Sequence, residues 1–365
     1  MNIIDRYIIK KILSTFFFVV IILVAIISVI DITEKMDKFA KNNLGASAIV
    51  QYYMDFIPWV SGLISPITVF ISIVYVTSRM AGHTEIIAIL SSGTSFRRLL
   101  VPYFVASFII AGISFWLNGW VIPKSNRERL EFESRYFQNK YYFDKRNVHM
   151  QVAPNVYLFI QNFNNQANTG YQFSLERFDD NQLIEKLKAD NIQWDSVKQK
   201  WTLKFWERKS IDKIFDMGRD TLKSLTTSGS ALDTTLVITP KDFENEERKF
   251  DGMTINELNA HIAQMKFRGS TGVEGYLVER DIRYASPFTI FVLVFMGVLV
   301  SARKSRGGTG FQIALGFTLS FIFILFFTMT RTFAEAGSLP PMMAAWLPNS
   351  VFAVISLFMY KYVPR

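Results

Sequence analysis

Hydrophobic positions in this chain gather into six blocks, three before residue 122 and three after residue 283, with a polar and aromatic stretch between the two sets. A helix needs about 20 apolar residues to cross the hydrocarbon of a bilayer. Residues 12–30 form an uncharged block of that length. Residues 56–76 follow, with Pro58 and Pro66 inside them. Residues 99–121 form the third, and their small residues Ala106, Ser107, Ala111 and Gly112 offer a surface for a close helix neighbour. Residues 286–300, extended at the start by 282–285, then 311–330 and 342–360 complete the set. The pattern predicts a membrane α-helical protein of six transmembrane helices, three plus three. The first block is too long for a cleavable signal, and Asp31-Ile32-Thr33-Glu34-Lys35 follows it in place of small residues.

Basic residues in short loops orient such a bundle. Arg6, Lys10 and Lys11, then Arg79, Arg97 and Arg98, then Arg303, Lys304 and Arg306, and finally Lys361 and Arg365 all fall on one side. That side is predicted to be the cytoplasm, with both termini inside. The other side carries Lys35, Lys38 and Lys41 among Asp31, Glu34, Asp37 and Asp55. The domain reading is therefore spans one to three over residues 1–122, an external domain over 123–283, and spans four to six over 284–365. In a Gram-negative cell the external domain is periplasmic.

The insert has the period of β-strands. Trp201, Leu203 and Phe205 alternate toward one predicted face, and residues 155–161 are apolar on both faces. Residues 173–178, 190–194 and 234–240 are further predicted strands. Turn formers stand at Asn164-Asn165, Asp179-Asp180-Asn181 and Ser228-Gly229. An inserted all-β, jelly-roll-like or sandwich domain of antiparallel strands is the expectation, with the strand order open. A helix near 254–268 follows. Thr254 and Glu257 form a capping box, Ile255, Leu258, Ile262 and Met265 share a face, and Gly269 ends it.

Composition narrows the chemistry. Of the 365 residues half are hydrophobic, with Phe 34 and Trp 7, and cysteine is absent, which excludes disulfides and thiol catalysis. The net charge of +9 reports membrane orientation here, and no nucleic-acid partner is expected. His83, His149 and His261 lie in separate segments without metal-ligand spacing, and no nucleophile elbow is present. The glycine cluster from Arg306 to Gly310 lacks the lysine of a phosphate-binding loop. No catalytic, cofactor or metal site is therefore expected. Work across the membrane would then draw on another chain or on a gradient, and because the span cores lack the carboxylates of ion-coupled transport, a separate ATPase, with ATP and magnesium bound there, is the better expectation.

The loop over residues 83–98 carries the most information. Thr84 is placed to cap a short helix near 83–93, Glu85 sits in its first turn, and Ile86, Ile89 and Leu90 form an apolar face. Gly93 supplies a left-handed stop, and Thr94 or Ser95 caps the next helix. Two readings fit: an interfacial helix with a capping acid, or a coupling helix docked on a cytoplasmic ATPase.

This loop resembles the lipopolysaccharide export permease family LptF/LptG (YjgP/YjgQ), most specifically in Thr84-Glu85-Ile86-Ile87-Ala88 and Ser92-Gly93. So do the opening IDRYIIKKIL, the ERDIRYASPF segment before span four, and Pro340-Pro341 with Ala345-Trp346-Leu347-Pro348-Asn349. The insert matches through Ala189, Trp194 and Trp201, and Asp5-Arg6-Tyr7 leans toward the LptG branch. The resemblance implies a permease subunit, not an enzyme. It would pair with a related permease as a heterodimer on a cytoplasmic ABC ATPase dimer. It would extract lipopolysaccharide from the inner membrane and pass it to a periplasmic jelly-roll bridge protein. It further implies ATPase coupling through Glu85, with His83, Ile86, Ile89 and Gly93 around it. Lipid phosphate contacts would come from Lys35, Lys38 and Lys41, with Arg331 a further candidate. The competing explanation for those cations is anchoring at the membrane edge, balanced by neighbouring acids such as Glu335. Two rivals remain for the whole chain. One is another ABC-type permease, which usually has four spans. The other is a non-transporting receptor or assembly factor.

Overall fold

The computed structural model describes residues 2–137, 146–179, 182–216, 219–236, 238–240, 249–268, 272–302 and 308–361. Several positions used above lie outside them: Arg303, Lys304, Arg306, Arg365, Asp180, Asn181, Val237 and Gly269.

Among the described residues six helices are long and apolar enough to cross a membrane, and every predicted span falls inside one. Helix α1 (Ile3–Lys41) contains neither glycine nor proline, so nothing in it breaks the hydrogen-bond ladder. At 1.5 Å per residue it is a rod of about 58 Å. Helix α2 (Ala46–Gly82) carries Pro58 and Pro66. The short α3 (Glu85–Ser91) leads to α4 (Phe96–Trp116), which a π-helical turn, Leu117–Val121, joins to α5 (Ile122–Tyr136). After the insert come α7 (Val273–Ser301), α8 (Gly308–Glu335) and α9 (Pro341–Lys361).

These helices form one compact unit with the segment Phe250–Leu258. Ile8, Ile12, Val76, Met80, Leu99, Tyr103 and Val298 bury together where α1, α2, α4 and α7 meet. Phe70, Val74, Leu293, Met296, Phe323 and Phe352 form a second core of α2, α7, α8 and α9. The approach there is close: a side chain on Gly297 would reach 2.9 Å from Ile73, and one on Gly316 would reach 3.1 Å from Val74. Of the small residues in span three, Ala106, Ser107 and Ala111 are buried, but Gly112 faces outward with nothing near it. Its position on the helix wheel puts it off the packed face. Asn349 of the closing motif is buried between α7 and α9. It accepts from Thr289 Oγ1 at 2.8 Å and donates to the Ala285 carbonyl at 3.4 Å, while Trp346 rests on Phe288. That motif therefore builds the bundle.

The second unit holds six strands, β1 (Val148–Ala153), β2 (Val156–Asn164), β3 (Thr169–Asp179), β4 (Gln182–Asp195), β5 (Lys200–Asp216) and β6 (Arg219–Thr234). They form one antiparallel sheet in simple sequence order, which fixes the order that the strand pattern left open. Among the described residues there is no second sheet to make a sandwich. Leu158, Ile160, Phe163, Phe173, Ile192, Trp201 and Leu203 share its core.

Strand alternation slips along one line across the sheet. Gln161, Gln172, Asp190 and Phe205 fall on it by register, and Gln172 and Phe205 have φ of 53° and 52°. In β3 and β5 a left-handed residue rotates the strand there, and along the line the inward positions resume one place later, at Phe163 in β2, Ile192 in β4 and the half-buried Trp206 in β5. Phe205 is consequently 67% exposed, which corrects the expectation that it points inward with Trp201 and Leu203. Two other expectations change. Ser228-Gly229 lies inside β6, where a side chain at Gly229 would come within 2.8 Å of Trp206. Of the described residues in 234–240 only Thr234 is strand, although Ile238 is buried and its carbonyl accepts from Trp201 Nε1 at 2.8 Å. Helix α6 (Ile255–Arg268) begins with the predicted capping box: Thr254 N donates to Glu257 Oε2 at 2.8 Å, and Glu257 N donates to Thr254 Oγ1 at 3.4 Å.

Candidate functional site

The loop between α2 and α4 lies at the end of the bundle where the start of α1 and the end of α9 approach α4. Helix α2 stops at Gly82, and His83 beyond it is exposed. Thr84 has φ 60°, and this turns its hydroxyl back to donate to the His83 carbonyl at 2.6 Å. It therefore does not cap α3 through its side chain, in contrast to the expectation. Gly93, at φ 86°, provides the left-handed stop, and Ser95 Oγ, not Thr94, caps α4 by accepting from Arg98 N at 3.3 Å.

Helix α3 is fixed from below by Ile86, only 2% exposed, which enters the core with Met80, Phe96 and Leu99. Ile89 and Leu90 are half-buried against the same cluster, and Ile87 points outward. Glu85 is 31% exposed and is held by α1: Tyr7 OH donates to Glu85 Oε2 at 3.2 Å, and Lys11 Nζ stands 3.5 Å from Oε1. Lys11 also donates to Tyr7 OH at 2.6 Å. A second strut ties α1 to α4, where Arg98 donates two hydrogen bonds to the Asp5 carboxylate at 2.9 and 2.7 Å. Arg97 reaches Tyr360 OH of α9 at 3.2 Å. The loop is thus a rigid joint presenting His83, Glu85 and Ile87 outward, and it has no group arranged for bond-making chemistry.

The predicted lipid-facing cations lie at the opposite end. Lys35 is enclosed: Nζ is 2.5 Å from Tyr52 OH, 2.9 Å from Asp31 and 3.4 Å from Glu133. Glu133 also accepts from Arg129 at 2.8 Å, and the Arg129 guanidinium stacks 4.1 Å from the Trp59 ring centre. Phe39, Phe56, Phe132 and Phe137 surround this network. Lys38 and Lys41 are exposed, with Lys38 Nζ over the Phe137 ring at 5.6 Å. Arg331 is ion-paired with Glu335 at 2.7 Å, Glu279 at 3.2 Å and Asp251 at 3.7 Å. Its neighbour Arg283 is buried, pairs with Glu279 at 2.8 Å and donates to the Phe250 and Met253 carbonyls.

The structure therefore brings His83, Glu85, Ile86, Ile89 and Gly93 together at one end and Lys35, Lys38 and Lys41 at the other. Arg331 belongs to a separate cluster. Sequence reasoning missed the partners: Asp5, Tyr7, Lys11 and Arg98 at the first end, Arg129, Glu133 and Tyr52 at the second. A signal existed in the i, i+4 spacing of Asp31/Lys35, Arg129/Glu133 and Glu279/Arg283.

Comparison with known proteins agrees with this architecture. The family described as "Lipopolysaccharide export system permease LptF/LptG" matches residues 6–362. The chain is 17% identical over 360 residues to "Lipopolysaccharide export system permease protein LptG" of Escherichia coli strain K12, covering 98% of each chain. The same holds for the LptG protein of Escherichia coli O6:H1 strain CFT073.

Proposed function

Because the chain belongs to the lipopolysaccharide export system permease LptF/LptG family, we propose that it is one transmembrane subunit of an ATP-driven extractor of lipopolysaccharide. The observation that carries this reading is the rigid joint of α3 with Glu85 half-exposed on it. A cytoplasmic ABC ATPase dimer docks there, and a basic residue of the ATPase approaches Glu85. His83 and Ile87 flank the contact, Ile86 and Ile89 root it, and Gly93 fixes its end. The chain has no phosphate-binding loop, so hydrolysis belongs to the partner. The termini and this loop lie in the cytoplasm, and residues 123–283 lie in the periplasm of a Gram-negative cell. There the β domain hands lipid to a jelly-roll bridge protein. A related permease completes a heterodimer. The low burial of α1 and α8, 17% and 22% over their apolar windows, leaves them surface for it and for lipid.

Lys38 and Lys41 are the phosphate contacts with open ammonium groups. Lys35 shapes that site through Asp31 and Glu133, and Arg331 stands apart, held by Glu279, Glu335 and Asp251. The test is Glu85→Ala in the co-purified complex in vesicles. ATP hydrolysis should continue while lipid release per ATP falls about tenfold, within the usual range of coupling between sites. Unchanged release would overturn the coupling role. Recovery of the chain with a periplasmic partner but no ATPase would favour a receptor instead.

A further inference from the structure

We infer that α1 is part of the coupling machinery, with Tyr7 and Lys11 as positioning residues that deliver movement of α3 along α1 to the opposite end of the bundle. This rests on the coupling role of Glu85 proposed above.

Three observations carry it. First, Glu85 is bonded to α1 and not to the helices that flank its loop: Tyr7 OH lies 3.2 Å from its carboxylate and Lys11 Nζ 3.5 Å. With the Asp5–Arg98 pair at 2.7 Å, α1 is tied to the loop on both sides, at α3 and at α4. Second, α1 is the transmitting element best suited to stay straight. It has no glycine or proline in 39 residues, whereas α2 contains two prolines and the α4–α5 helix contains Pro102 and a π-helical turn, the usual places where helices bend. Third, the far end of α1 carries Lys38 and Lys41 in the open and is joined through Lys35 to Tyr52 of α2 and Glu133 of α5.

Glu85 therefore has two kinds of neighbour. Lys11 is a cation that an incoming basic residue of the ATPase competes with, because both need the same carboxylate. Tyr7 is a neutral donor that can keep its hydrogen bond while the cation is exchanged. Tyr7 preserves the link to α1 during docking, and Lys11 keeps the carboxylate aimed before it.

The experiment uses the complete complex in vesicles with Tyr7→Phe and Lys11→Met, alongside Glu85→Ala. Tyr7→Phe removes only the hydroxyl, and Lys11→Met removes the charge with little change in length. Lipid released per ATP should fall about fivefold in Tyr7→Phe, the low end of coupling between sites, with ATP hydrolysis and subunit recovery retained. The chain has no cysteine, so spin labels placed through Ala40→Cys and Ser338→Cys report on the far end of α1. A nucleotide-dependent change in their separation, read with a non-hydrolysable ATP analogue, should be present in the parent and lost in Tyr7→Phe. If Glu85→Ala uncouples while Tyr7→Phe and Lys11→Met keep both release and the distance change, α1 is not the transmitter and the inference is wrong. A parent that shows no distance change overturns it as well. If Glu85→Ala itself has no effect, the coupling role fails first.

Discussion

The two ends of α1 are held by the same three side chains, a tyrosine, a lysine and a glutamate. At one end Lys11 donates to Tyr7 at 2.6 Å and Tyr7 donates to Glu85 at 3.2 Å. At the other, Lys35 meets Tyr52 at 2.5 Å and Tyr52 donates to Glu133 at 2.7 Å. What differs is the surroundings. Lys11 and Glu85 are 23% and 31% exposed, so water competes for both. Lys35 and Glu133 are 16% and 17% exposed, enclosed by aromatic rings, and joined by Asp31 and Arg129 into a set of two cations and two anions. Removing water makes each charge depend on its neighbours, so the second set is a fixture. The first can release one partner for another at little cost, since exposed ion pairs contribute about 0–1 kcal/mol.

The largest effect should come from the closed set. Glu133→Gln leaves Lys35 with Asp31 and takes from Arg129 the carboxylate it pairs with, and breaking a buried pair from one side costs about 3–5 kcal/mol. Glu85→Gln should cost less than about 1 kcal/mol by the argument for exposed pairs. Thermal unfolding of the two variants in the same detergent checks this, and equal losses would refute the contrast. Asp5→Asn lies between. Asp5 is buried while Arg98 is partly open, and the charge-assisted bonds to it should be worth about 2 kcal/mol. The same melt reads it, and a loss as large as that of Glu133→Gln would mean that Asp5 too sits in a closed network.

This contrast marks where the sequence was legible. Hydrocarbon imposes length and composition, so all six spans can be read from apolar runs, and the helix start at Thr254 follows from two residues three apart. Glu85, Gly93 and Ser95 took their places because caps and turns are local. The closed set was hidden because its members come from residues 31, 35, 52, 129 and 133, which only packing brings together. Phe205 misled for a related reason. Alternation assumes an extended backbone throughout, and the positive φ at Phe205 resets the period without any glycine to announce it.

Glu257 supplies the wettest case and the smallest expected effect. It lies outside the spans, 48% exposed, and pairs with Arg127 at 2.7 Å. Its carboxyl is held below the usual glutamate range, first by the hydrogen bond from Thr254 N and then by Thr254 Oγ1 and Arg127. A carboxylate whose folded value is depressed adds stability that is complete above its unfolded value. That stability is lost as pH falls through the folded one. Amide exchange at residues 255–258, corrected for its intrinsic pH dependence, should therefore speed up as the solution is made acidic through that range. Glu257→Gln should remove the pH dependence while leaving the helix formed, because the amide can still accept from Thr254 N. If the parent and the variant follow the same pH profile, the start of α6 is held by packing of Ile255 and Leu258 and not by charge. Solvent exposure would then have erased the ionic contribution altogether, one step beyond the open end of α1.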